Sequence, residues 1–151
     1  MIEMALLKPR ALLRPSKETQ NKLRWATQIE ADNAKFQFYI PKSRVPEPWP
    51  GRIYVQIQSF EGDPSRFVPS PIVPGRLERS IRVLVEPVSE HTCTVRYKPI
   101  GDSEEWQIGE PYIPYSLIPP DSHFLVIVIE WDLSSKGKFV HVPTYRRNLT
   151  F

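Results

Sequence analysis

Prolines punctuate this chain at short intervals, and the stretches between them alternate apolar and polar residues. There are 17 prolines against 6 glycines in 151 residues, about twice the usual proline share. Each proline fixes φ, removes an N–H and pushes the residue before it to extended geometry. One proline stretch is written almost twice. Arg44-Val45-Pro46-Glu47-Pro48-Trp49-Pro50-Gly51-Arg52 is echoed by Arg66-Phe67-Val68-Pro69-Ser70-Pro71-Ile72-Val73-Pro74-Gly75-Arg76. Both copies read as stiff, polyproline-like connectors that end in a glycine turn and lead into a strand. Pro50-Gly51 and Pro74-Gly75 are therefore expected at related positions just before their strands, with Trp49 at least half covered.

The runs between the prolines have a period of two. Leu23, Trp25, Thr27 and Ile29, then Phe36, Phe38 and Ile40, flank the turn Ala31-Asp32-Asn33-Ala34 and read as a hairpin; a short helix from Ser16 is the alternative. Ile53, Val55 and Ile57 make a further strand. Ile81, Val83 and Val85 lead through a turn at Val88-Ser89-Glu90-His91 into Cys93, Val95 and Tyr97, a second hairpin. Trp106 and Ile108 follow the turn at Ile100 to Ser103. His123 to Trp131 is nearly continuous in apolar residues, so it is expected to be central and covered on both faces. Phe139 to Val142 makes a last strand. About eight short strands with proline and glycine turns predict an all-β sandwich or barrel.

The domain is expected to span residues 16–151, behind an extended arm at 1–15. That arm repeats itself: Ala5-Leu6-Leu7-Lys8-Pro9-Arg10, then Ala11-Leu12-Leu13-Arg14-Pro15-Ser16. Pro9 and Pro15 bar a continuous helix. Four leucines are too many to leave in water, so Leu6, Leu7, Leu12 and Leu13 are expected to dock on the body or on another subunit.

The net charge of +3 is unevenly spread. Residues 1–24 carry six Lys/Arg against two acids, and residues 133–151 carry Lys136, Lys138, Arg146 and Arg147 with no acid. Solvated termini explain this, and so does contact with phosphates through Lys8, Arg10, Arg14, Arg146 and Arg147. The first nine residues lack the pattern of a signal peptide, no run is long enough to span a membrane as a helix, and the one cysteine forms no internal disulfide. A cytoplasmic protein is expected.

Catalytic patterns are missing from the sequence. His91-Thr92-Cys93 is the one close His/Cys pair, short of what a tetrahedral zinc site needs. Cys93 alternates with Val95, which places it in the core as an inert thiol. There is no Gly-x-Ser-x-Gly elbow and no glycine-rich phosphate loop. His123 and Asp132 would sit about 30 Å apart on one strand at ~3.3 Å per residue, so they cannot share a site; Glu130 and Asp132 read as a strand end entering solvent. No cofactor, metal or enzymatic activity is expected. The aromatics held by prolines, Trp49, Tyr112 and Tyr115, are good contact residues at low entropy cost, or caps on the open ends of the β core. The expected function is a protein-interaction or assembly module, forming a homo-oligomer or part of a larger assembly through the arm leucines and these aromatics. The alternative is nucleic-acid binding by the basic ends, with Trp49 or Tyr112 stacking on bases.

Overall fold

The computed structural model describes residues 10–31, 33–68, 80–101 and 106–141. Nine strands form: β1 (Arg10–Glu18), β2 (Lys22–Ile29), β3 (Ala34–Pro41), β4 (Ile53–Phe60), β5 (Ser80–Glu90), β6 (Thr94–Pro99), β7 (Tyr112–Pro114), β8 (Phe124–Trp131) and β9 (Val140–His141). The sheet order is β2-β3-β7-β6-β5-β8-β4-β1-β9, and β1 also pairs with β2. Eight antiparallel strands therefore close into a barrel, which removes the sheet edges. β1 is the closing strand. Its first half, Arg10 to Leu13, bonds to β4, and its second half, Arg14 to Glu18, bonds to β2. β9 runs parallel to the end of β1, with Lys17 opposite Val140 and Glu18 opposite His141.

The strands explain how a proline-rich chain builds a sheet. Pro15 and Pro87 sit at the register shifts of β1 and β5, and Pro41, Pro99 and Pro114 are each the last residue of a strand. These are positions where a missing N–H costs the ladder little. The β2–β3 turn is closed by Asn33, whose φ of 49° is left-handed, a conformation asparagine tolerates better than most residues.

Apolar inward residues make up the barrel interior. Leu13, Leu23, Trp25, Phe36, Phe38, Ile53, Ile113, Leu125 and Ile127 are among its fully buried members. Eight strands leave an interior just wide enough for side chains. Charges lie outside and apolar residues inside, the reverse of a membrane-spanning barrel. Among the described residues no helix is long and apolar enough to cross a membrane.

The lower end of the barrel, where β8 finishes, is sealed by aromatics. Trp25 packs at 6.4 Å from Trp131 and edge-on at 4.9 Å from Phe139, and Trp49 meets the other side of Phe139 at 5.7 Å. The Trp49 loop is clasped to residues 135–137. The Gly51 N–H donates to Ser135 Oγ at 2.9 Å and the Gly137 N–H to the Trp49 carbonyl at 2.8 Å. A Cβ on Gly51 would fall 2.5 Å from the Lys136 carbonyl oxygen, and one on Gly137 would fall 2.7 Å from that of Pro50, so both positions need glycine for close approach.

Several expectations change. The boundary expected at residue 15 falls inside β1, and Leu13, expected to dock from an arm, is part of the barrel core as a strand residue. β5 continues through Ser89 and Glu90 by way of a bulge, so the turn comes at His91 to Cys93; Cys93 precedes β6 and is half-buried. Trp106 and Ile108 lie outside any strand, whereas Tyr112-Ile113-Pro114 forms one. β8 is central, between β4 and β5, but its outer cover is partial: Val126 is buried and Glu130 is exposed. Pro50-Gly51 does sit just before β4, and Trp49 is more than half covered; Pro74-Gly75 falls outside the described residues.

Candidate nucleic-acid interface

β1, β2 and β3 together carry six Lys/Arg, at positions 10, 14, 17, 22, 24 and 35, and one acid, Glu18. Alternation decides where these charges point. Leu23, Trp25, Phe36 and Phe38 face inward, so Lys22, Arg24 and Lys35 face outward. Glu18 is drawn away to the lower end, where Lys42 Nζ lies 2.6 Å from one carboxylate oxygen and His141 Nδ1 lies 3.8 Å from the other. The outer face of these three strands is therefore basic and free of acids.

Register assembles the face in rows, because residues directly opposite across a pair share a side. Lys17 is opposite Arg24, and Arg24 is opposite Tyr39. One step along, Arg14 is opposite Ala26, Ala26 opposite Gln37, Gln37 opposite Tyr112 and Tyr112 opposite Arg96. The second row crosses five strands, an arc of about 19 Å at ~4.8 Å per strand. Ala26 and Gln37 make its low centre, with a tyrosine beside them in each row.

The cations differ in how they are held. Arg24 donates from Nη2 to Ser16 Oγ at 2.7 Å and lies 6.0 Å from the Tyr39 ring centroid, so it is oriented but not neutralised. Arg96 lies 3.8 Å from Glu110. Among the described residues, Arg14, Lys17, Lys22 and Lys35 make no ion pair. At the centre, Gln37 Oε1 is buried without a hydrogen-bond partner. Unpaired cations with tyrosines on a face without acids form a surface suited to a phosphate backbone with exposed bases.

The residues singled out from sequence scatter. Arg14 is on this face. Arg10 is at its margin, 3.7 Å from Glu130 and over the Tyr54 ring at 5.2 Å. Tyr112 is in the second row, its ring 5.5 Å from His91. Tyr115 is at the opposite, upper end, 41% exposed, with its hydroxyl donating to the His91 carbonyl at 3.1 Å. Trp49 is in the lower seal, under Lys42 at 5.2 Å from its ring centroid. Leu13 is in the core and Leu12 is half-buried on the outer side of β1. Leu6, Leu7, Lys8, Arg146 and Arg147 lie outside the described residues. Sequence reasoning missed Lys17, Lys22, Arg24, Lys35 and Tyr39 as one set. The signal was their shared outward parity on three consecutive strands, which carries meaning only once β1 is known to pair with β2.

Both acids weighed for chemistry have a cationic neighbour, and Glu130 lies 3.7 Å from Arg10. Asp132 lies 2.8 Å from Arg52. The Ser134 hydroxyl, and then its amide and Arg52, hold the Asp132 carboxyl below its ordinary range against an opposing desolvation. Among the described residues no three His, Cys, Asp or Glu side chains gather as a metal site would need. Comparison with protein-family models, with curated proteins and with solved structures finds no match to this chain.

Proposed function

We propose that this protein is a non-enzymatic, cytoplasmic binding module that takes single-stranded nucleic acid on the outer face of β1, β2 and β3. One observation carries the reading: among the described residues the strand register gathers four cations without ion pairs, a fifth oriented by Ser16, and Tyr39 on the acid-free outer face of β1 to β3, with Tyr112 next to it on β7. Phosphates would lie along Arg14, Lys17, Arg24 and Lys35, and bases would stack over the tyrosines. A single strand is favoured over a duplex because stacking on side chains needs bases that are free of partners.

Fluorescence anisotropy with a labelled single-stranded oligonucleotide tests this at low salt. Saturable binding is expected, weakened by about tenfold or more when Arg14, Lys17, Arg24 and Lys35 are all changed to Gln. No saturable binding at low salt, or an unchanged affinity in that variant, removes the reading.

Assembly through the N-terminal segment is the second reading, supported by the leucine repeat at residues 5–16 and by half-buried Leu12 on the outer side of β1. Its test is a truncation that stops before β1. Loss of residues 1–9 would lower the mass seen in sedimentation if the segment links copies of the chain. Cutting to residue 15 would instead remove a barrel strand and report only on folding.

A further inference from the structure

The upper end of the barrel is notched, unlike the lower end. A pocket of about 510 Å³ opens there between the β5–β6 hairpin and the segment that follows β7, lined by Val95, Tyr97, Tyr115, Ile118, Glu90 and Ser122 among others. Val95 and Tyr97 also belong to the hydrophobic core, so the floor of the notch is the end of the barrel interior. Its walls mix apolar and aromatic side chains with Ser89, Glu90 and Ser122, and Glu90 is the one charged residue among the described residues that line it.

Two polar groups in this pocket have solvent rather than protein as their partner among the described residues. Glu90 makes no ion pair among the described residues. Tyr97 is 3% exposed as a residue; its hydroxyl makes no hydrogen bond among the described residues and is not among their sealed polar atoms, so it meets solvent through the pocket. Burial, with Tyr115 adding, pushes the Tyr97 phenol up to about 12, so it stays neutral and keeps its proton to donate. An anion is disfavoured by Glu90, and a purely apolar ligand would displace water from both groups without replacing its hydrogen bonds. A cation satisfies the carboxylate and is attracted to tyrosine faces, and an apolar body fills the floor.

We propose that this pocket binds a small organic amine, with the ammonium group against Glu90 and the tyrosines and its apolar body on Val95 and Ile118. The site is separate from the basic face and does not depend on nucleic-acid binding.

The test is an NMR titration of the full-length, isotope-labelled protein with phenethylamine, with 2-phenylethanol as its neutral counterpart. Saturable shifts are expected at the amides of Val95, Tyr97 and Ile118, with the alcohol binding about fivefold more weakly. Glu90→Gln changes an exposed residue and should leave the spectrum well dispersed. It should cut phenethylamine affinity by about fivefold and leave the alcohol unchanged. Equal binding of amine and alcohol, an unchanged affinity in Glu90→Gln, shifts confined to another surface, or no saturation into the tens of millimolar would each overturn the proposal. So would tighter binding of a capped Gly-Lys-Gly peptide than of phenethylamine, which would assign the pocket to a lysine side chain of a protein.

Discussion

The two ends of the barrel are built from similar aromatic residues and put them to opposite use. At the lower end Trp131, Trp25, Phe139 and Trp49 touch in sequence, and glycines at 51 and 137 let two loops cross closely over them. Ion pairs ring the seal, Lys42 with Glu18 and Arg52 with Asp132. The indole N–H groups of Trp25 and Trp49 are buried without partners, so these rings contribute by packing, while the loop hydrogen bonds of Gly51 and Gly137 hold the chain over them. At the upper end Tyr97 and Tyr115 line a pocket instead of filling one another's space. The lower aromatics stabilise the fold, whereas the upper ones leave room for a ligand. The proline framing that drew attention to Trp49 and to Tyr115 alike does not tell these roles apart.

The contrast breaks first at Trp25. Truncation of this fully buried ring to Ala should cost about 3–5 kcal/mol in urea unfolding, near the total stability of many domains of this size. A cost below about 1 kcal/mol would mean that the lower end collapses easily and is no seal. Trp49→Ala comes next. The ring is more than half covered and clasped against Phe139, so a loss of about 2–4 kcal/mol is expected. A melting temperature equal to that of the parent would return Trp49 to the surface as a contact residue.

At the upper end the sharper test is pH. The Tyr97 phenol is raised in the folded state from 10 to about 12. The folded state therefore holds its proton more tightly, and the contribution is complete below pH 10 and lost as pH rises towards 12. The loss should reach about 2–3 kcal/mol, since each tenfold gain in proton affinity corresponds to about 1.4 kcal/mol. Tyr97→Phe should flatten this part of the stability profile and, because the hydroxyl makes no hydrogen bond among the described residues, cost little at neutral pH. A profile unaltered by that substitution would show the phenol not to be shifted by burial. The smallest effect belongs to Tyr115→Ala, expected at about 1 kcal/mol because the residue is 41% exposed and gives up one exposed hydrogen bond, to the His91 carbonyl. A cost comparable to that of Trp49→Ala would make the two ends alike.

Much of the barrel was legible in the sequence, because period-two alternation survives wherever one face is buried and the strand is long. The hairpin of β2 and β3, the strand β4 and the central β8 follow directly from it. β7 was hidden because a strand of three residues, the last of them Pro114, is too short to show a period. β1 was hidden because its doubled leucines blur the alternation and Pro15 resembles a stop. In fact Ala11 and Leu13 point inward, and Pro15 sits at a bulge where β1 and β2 shift register. The basic face was legible only as composition. Six cations in the first 24 residues were visible. That Lys17, Arg24 and Lys35 join Arg14 and two tyrosines on one side depends on which strands pair, and sequence period alone does not carry that.

The central claim is that these cations meet phosphates, and the salt dependence of binding tests it most directly. The logarithm of the association constant for a single-stranded oligonucleotide should fall linearly with the logarithm of salt concentration, with a slope of about −0.7 for each phosphate contacted. Four contacts from Arg14, Lys17, Arg24 and Lys35 give a slope of about −3, and Arg14→Gln with Arg24→Gln should reduce its magnitude by about 1.4. A slope near zero, or a slope that the double substitution leaves unchanged, would contradict the assignment of this face.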